Sequence, residues 1–160
     1  MLVRPACSGD ADALWAILEP HVRAGETFAL PRDWTRQQAL EYWLAPSHGA
    51  FVAEEDGEVL GSYYLRANQL GGGSHVANAG YATAPAASGR GVARAMCAHS
   101  LGEARARGFR AMQFNIVVSS NARAVALWQS FGFAIVGTLP GAFDHPNRGF
   151  VDAYVMFREL

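Results

Sequence analysis

Residues 81–96 read YATAPAASGRGVARAM, and the fold and the chemistry are both read outward from this stretch. A strand ends near Thr83, because Pro85 lacks the N–H that would extend its ladder. Ser88-Gly89-Arg90-Gly91-Val92-Ala93 then opens a helix. Glycines at 89 and 91 let the backbone turn tightly and approach a ligand without a Cβ in the way. The free N–H groups of the first helical turn, together with the helix dipole, form an anion site suited to a pyrophosphate. Arg90 and Arg94 add charge-assisted contacts. A lone GxG is also what an ordinary glycine-rich turn between a strand and a helix looks like, so it does not decide the matter alone. The register does not match the dinucleotide fingerprint GxGxxG, and no early βαβ unit precedes it. No Lys follows it, so it is not a Walker loop.

Around this turn the chain shows strand and helix signals in a fixed order. Residues 2–4 form a short first strand. Ser8 to Asp10 offer caps for a helix running to about His21, with Leu14, Ile17, Leu18 and Val22 on one face. A loop follows over residues 23–33, and Thr35 caps a second helix to Trp43. Strands over residues 49–54 and 59–67 meet at Asp56-Gly57, a hairpin signal. Gly71-Gly72-Gly73-Ser74 marks a turn before a strand over residues 76–83. The helix over residues 91–107 stops at Gly108, with Arg105 and Arg107 where the dipole favours cations. Residues 109–118 form a strand, Asn121 caps a helix to Ser130, and strands over residues 133–139 and 151–157 close the chain. GAFDHPNRG, residues 141–149, reads as the hairpin loop between them. Three strands in a row and a terminal strand pair exclude the regular alternation of a doubly wound parallel sheet. The expectation is one mixed α+β domain over residues 1–160.

Bulk composition narrows the function. The chain has 160 residues, 51% of them hydrophobic and 17% charged, as in an ordinary globular protein. A net charge of −1 gives no overall attraction to nucleic acid or to an anionic membrane, so any anion site is local. All 13 basic residues are Arg, which excludes a catalytic lysine. Cys7 and Cys97 lie far apart and form no metal-ligand spacing, so neither a disulfide framework nor a metal site is expected. No signal-peptide pattern and no apolar run of membrane length stand in the sequence. A cytoplasmic protein is expected.

Two further features add to the turn. The strand FRAMQFNIVVSS leads to Asn121 and ARAVALWQSFGF, placing a second helix start beside the first. From about residue 76 to residue 138 the sequence resembles the GNAT acetyltransferase superfamily. The family's phosphate motif, Gln/Arg-x-x-Gly-x-Gly/Ala, stands here as Ser88-x-x-Gly91-x-Ala93. Its second motif, Asn-x-x-Ala-x-x-Leu-Tyr-x-x-x-Gly-Phe, stands as Asn121, Ala124, Leu127, Trp128, Gly132 and Phe133. Ser88 departs from the first motif, losing one side-chain contact while keeping the backbone cradle. Trp128 replaces a Tyr proposed in many members to protonate the leaving thiolate, and an indole cannot do so. The resemblance implies a mainly antiparallel sheet of about seven strands with four flanking helices, splayed between the fourth and fifth strands. It implies acetyl-CoA as acyl donor, with its pyrophosphate on Gly89, Arg90, Gly91, Val92, Ala93 and Arg94. It also implies a pantetheine arm along Tyr81, Ala82 and Thr83, contacted by Asn121, with a backbone N–H near Ala82 stabilising the oxyanion. The resemblance, with the apolar C-terminal strands, points to a homodimer as an expectation.

The acceptor side is read from two amides. Asn78 and Asn115 each interrupt an apolar strand, where an amide must be hydrogen-bonded or costly. Either they are satisfied structural groups or they face the splayed cleft and hold the acceptor. HVANAGY and AMQFNIVV resemble the acetyltransferases that act on azetidine-2-carboxylate and related proline analogues. In those enzymes the matching asparagines orient the acceptor, which here would make Asn115 the residue that places the amine. The loop with Arg23, Glu26, Thr27 and Phe28 would line the acceptor side. The general base is left among His75, Asn78, Tyr81 and a water relay. Asp144 and His145 read as turn chemistry. The alternatives are a protein or peptide amine as acceptor, and a non-catalytic acyl-CoA sensor, which Trp128 favours.

Overall fold

A computed structural model describes all residues, Met1–Leu160. In chain order it contains β1 (Leu2–Pro5), α1 (Ala11–Ala24), α2 (Arg36–Trp43), β2 (Gly49–Glu55), β3 (Glu58–Ala67), β4 (Val76–Thr83), α3 (Val92–Ala106), β5 (Ala111–Val118), α4 (Ala122–Ser130), β6 (Ala134–His145) and β7 (Gly149–Glu159). The seven strands form one sheet in the order β1-β2-β3-β4-β5-β7-β6. All neighbours pair antiparallel except β4 and β5. This is the expected mixed α+β sheet with four flanking helices.

Local chemistry accounts for the elements. Thr35 and Gln38 form a reciprocal capping box at α2, through Gln38 N–H to Thr35 Oγ1 at 3.2 Å and Thr35 N–H to Gln38 Oε1 at 2.9 Å. α1 runs three residues past His21 and ends at Gly25 in the left-handed region, φ 64°. The Gly71–Gly73 turn is a single turn of 3-10 helix. The two faces of the sheet carry separate cores. Tyr63, Leu65, Ala77, Ala79, Met112 and Phe114 pack under α3 and α4. Val52, Tyr64 and Ala82 pack under α1 and α2 with Leu14, Leu18 and Trp43.

Two expectations are corrected. The last strands are longer than read from sequence. Phe143↔Val151, Asp144↔Phe150 and His145↔Gly149 are paired, so most of residues 141–149 belongs to a ladder and only residues 146–148 connect the strands. The strand is expected from the sequence to end at residue 139, before Pro140, but β6 is an edge strand, and a register shift between Leu139 and Phe143 absorbs Pro140 and Gly141. The second correction is the loop of residues 23–33, whose first residues are helical.

The splay stands where expected. β4 and β5 pair only at Val76↔Ala111 and Ala77↔Met112. Beyond Ala77 the strands diverge, and six more residues of β4 run on without a partner on that side.

Candidate active site

The register of β4 decides which of its groups are available. Ala84 N–H donates to the Leu60 carbonyl and Asn68 N–H to the Val76 carbonyl, and the pairing of β3 with β4 is continuous between those points. Even-numbered residues of β4 therefore turn their backbone groups to β3, and odd-numbered residues turn theirs toward the gap. Ala82 N–H belongs to the β3 ladder opposite Ser62. The donors facing the gap on either side of it are those of Ala79, Tyr81 and Thr83. The side chains alternate as well, with Asn78, Gly80 and Ala82 on the α1–α2 face and Ala79 and Tyr81 on the α3–α4 face.

The gap opens into a cleft of about 880 Å³ that reaches both faces of the sheet. On the α3–α4 face it is lined by Ser88, Gly89, Gly91, Val92, Ala93, Arg94, Asn121, Arg123, Leu127 and Trp128. Gly89 and Gly91 have φ of 84° and 81°, and a Cβ built on either meets nothing within 4 Å. Gly91 caps α3 without a side chain, and the first helical bond runs from Ala95 N–H to the Gly91 carbonyl. The N–H groups of Val92, Ala93 and Arg94 are thus left without helical acceptors at the cleft. Such a terminus suits the phosphates of acetyl-CoA. Arg123 Nη1 donates to Ser88 Oγ at 3.0 Å, and Arg94 Nη2 to Ser130 Oγ at 3.3 Å, so two guanidinium groups stand beside it. Arg90 is turned away and donates to Glu55 at 2.6 Å, holding that carboxylate below its usual range.

Asn121 Oδ1 accepts Ala124 N–H at 3.3 Å, so the oxygen is engaged in capping α4. Trp128 is a wall residue, packed against Tyr81 and Phe114 at ring distances of 4.8 and 5.0 Å. The Tyr81 hydroxyl points away to Ser100 Oγ at 2.7 Å, and burial pushes its pKa far up.

On the α1–α2 face the lining is His21, Thr27, Phe28, Tyr42, Trp43, Tyr64, Arg66, Asn78 and Asn115. Both asparagines reach this face, and both already have protein partners. Asn78 Nδ2 donates to the Gln113 carbonyl at 3.0 Å, bridging β4 to β5 just past their last paired residues. Asn115 Oδ1 accepts from Gln113 Nε2 at 2.9 Å, and its Nδ2 donates to Asn68 Oδ1 at 2.7 Å. Trp43 Nε1 donates to Ser62 Oγ at 2.8 Å, which donates to the Phe51 carbonyl at 2.7 Å and fixes the pocket floor. Tyr64 lies across Gly80, where a Cβ would come within 2.6 Å of the ring.

Several expected residues stand elsewhere. Arg23 and Glu26 do not line the cleft, and Glu26 Oε1 accepts from Asn147 at 3.2 Å. His75 is exposed below the splay and only its carbonyl is used, by Arg110 N–H. Asp144 and His145 also stand outside the lining, and His145 Nδ1 accepts the Asn147 N–H of the tight connection. Among the lining residues that went unnoticed in the sequence are His21, Tyr42, Tyr64, Arg66 and Arg123. His21 is the one with catalytic chemistry. Its Nε2 donates to the Thr83 carbonyl at 2.7 Å, which satisfies one of the groups that β4 turns to the gap. No Asp or Glu lines the cleft, and no cluster of three metal-ligating side chains occurs in the chain.

Comparison with known proteins gives four results. The family described as "Acetyltransferase (GNAT) family" matches residues 12–133. The structure of a GCN5-related N-acetyltransferase from Kribbella flavida superposes with a TM-score of 0.95 and 45% identity, covering 99% of this chain and 97% of the other. A ribosomal-protein-alanine N-acetyltransferase from Brucella melitensis superposes with a TM-score of 0.85 and 28% identity over the full length of both chains. The N-acetyltransferase aca1 of Schizosaccharomyces pombe is 24% identical over 151 residues, 84% of this chain and 72% of that protein.

Proposed function

The chain belongs to the acetyltransferase (GNAT) family and is an N-acetyltransferase using acetyl-CoA, and from that premise we propose that its acceptor is the amine of a small amino acid, the proline analogues of the azetidine-2-carboxylate type included. The observation that carries this reading is the gap between β4 and β5. It joins an anion-binding helix start on one face to a small aromatic pocket holding Asn78 and Asn115 on the other. Donor and acceptor can enter from opposite faces and meet within the sheet, which supplies the positioning that a direct transfer requires.

Acetyl-CoA supplies an activated thioester. The free N–H groups at Val92, Ala93 and Arg94 hold its pyrophosphate, with Arg94 and Arg123 beside them. The gap-facing N–H groups of Ala79, Tyr81 and Thr83 pair with the donor's amide arm and hold the thioester oxygen. Asn115 and Asn78 place the acceptor. His21, at the Thr83 end of β4, takes through a water relay the proton that the amine gives up. Donation to Thr83 fixes Nε2 as the protonated nitrogen and leaves Nδ1 to accept. No side chain near the gap serves as acid for the thiolate, which leaves as the anion. A second copy of the chain is the partner in this reading, against β6 and β7.

A protein N-terminus is the competing acceptor, and the similarity to a ribosomal-protein-alanine N-acetyltransferase favours it. A cleft without a single carboxylate disfavours basic peptide tails. Trp128, which pointed to a sensor, is accounted for as packing.

Two variants separate the halves of the site. Gly91→Glu puts a side chain on a backbone at φ 81° and an anion at the phosphate cradle, and should weaken acetyl-CoA binding about 100-fold or more in a calorimetric titration. Unchanged affinity would refute the cradle. Asn115→Ala should lower turnover while leaving acetyl-CoA affinity intact. Equal losses in both would remove Asn115 from the acceptor side.

A further inference from the structure

Three arginines line the cleft. Arg94 and Arg123 flank the start of α3, and each donates to a serine hydroxyl. Arg66 stands apart from them on β3. It is the cross-strand partner of Asn78, so both side chains share the α1–α2 face, as does Tyr64 two residues before it. Asn78 lies five residues along β4 from Thr83, roughly 17 Å at strand spacing. Arg66 therefore belongs to the acceptor end of the cleft and is remote from the phosphate end.

Arg66 lacks what a guanidinium in such a place ordinarily has. Its Nε is buried and meets no acceptor in the protein. None of the ion pairs in the structure includes it. No carboxylate lines the cleft to neutralise it. The neighbouring imidazole of His48, stacked on Tyr64 at 4.4 Å, is held toward its neutral form by burial and then by the Arg66 charge itself. A guanidinium stays charged at every relevant pH, and a buried N–H without an acceptor is costly. Its planar fork matches a carboxylate in two parallel hydrogen bonds. Phe28, Trp43 and Tyr64 leave the adjoining space small and aromatic.

We propose that Arg66 is the anion site of the acceptor pocket, binding the free carboxylate of an α-amino acid whose amine faces the opening between β4 and β5. The inference rests on the amino-acid reading above and sharpens it. A free carboxylate becomes a requirement, which a peptide N-terminus or a simple amine does not meet.

The test measures kcat/KM by thiol release from acetyl-CoA for glycine, alanine, proline and azetidine-2-carboxylate, each beside its own carboxamide. The wild type, Arg66→Gln and Arg66→Lys are compared, with acetyl-CoA affinity and thermal midpoint as controls. The wild type should prefer acid over amide. Arg66→Gln should cut kcat/KM for the acid roughly 10- to 100-fold, mostly through KM, while leaving the amide's value and acetyl-CoA affinity unchanged. Arg66→Lys should recover part of the loss. Equal loss for acid and amide in Arg66→Gln would overturn the proposal. So would a wild type that accepts amides or simple amines as well as acids, and in that case acetyl transfer to a small amine would still stand. If acetyl-CoA binds and none of these amines is acetylated, the amino-acid reading itself falls. Should Arg66→Gln fail to fold, the wild-type preference between acid and amide decides alone.

Discussion

The Nε2–H of His21 meets the Thr83 carbonyl at 2.7 Å, a contact between residues 62 positions apart. It places an imidazole at the mouth of a cleft in which Tyr64 and Tyr81 stay protonated. Burial raises the pKa of Tyr64 and Tyr81 above the ordinary phenol value. His21→Gln keeps a donor for Thr83 and removes the accepting ring nitrogen. It should lower kcat/KM about 100-fold or more, leaving acetyl-CoA affinity unchanged. A variant with the wild-type kcat/KM would assign the proton to water alone. The difference between residues that sequence reading finds and those it misses is physical. Asn78 and Asn115 were legible because an amide in an apolar strand has few cheap explanations. His21 lies among the polar positions of an amphipathic helix and Arg66 near the end of a strand, where charged side chains are ordinary. Only the folded neighbours reveal that one caps a carbonyl of the gap and the other has no counter-ion.

Among the elements, β1 and α1 are joined by a charged clamp. Arg4 donates to both carboxylate oxygens of Asp10 at 2.9 Å and to Glu54 on β2, while Cys7 N–H donates to Asp10 at 2.8 Å. The Arg4 hydrogen bonds hold the Asp10 carboxyl well below the usual carboxylate range. A depressed folded-state pKa contributes stability that is fully present above the unfolded value near 4 and is lost as the pH falls below it. Asp10→Asn should cost about 1–3 kcal/mol at neutral pH and weaken the fall of stability in acid. An unchanged midpoint in denaturant would show that the clamp is dispensable. Helix starts at Thr35 and Asn121 and the turn at Asp56-Gly57 were legible because each rests on neighbouring residues. The length of β6 was not, since a proline on an edge strand is tolerated through a bulge that only its pairing with β7 displays.

At the scale of the whole molecule, the splay followed from the resemblance, since pairing over two residues at one end of β4 and β5 has no local signature. The sheet ends in β6, whose outer edge has no partner strand. Val136 and Phe150 expose 59% and 77% of their surfaces there, with Ile135 and Leu139 beside them. An apolar edge of this kind invites pairing with another chain. A second copy would cover it, so light scattering should give a dimer mass at micromolar concentration, and Phe150→Asp with Val136→Lys should return it to the monomer. A monomeric wild type would refute the dimer and leave each cleft complete within its own chain. No helix of the chain is long and apolar enough to cross a membrane.

The central claim is that a free small amino acid meets acetyl-CoA through the opening between β4 and β5, and thiol release from acetyl-CoA with a panel of amines tests it most directly. The account predicts rapid release with free small amino acids, little with alanine-started peptides or simple alkyl amines, and loss of release in Gly91→Glu. Release driven by peptides and indifferent to free amino acids would contradict it.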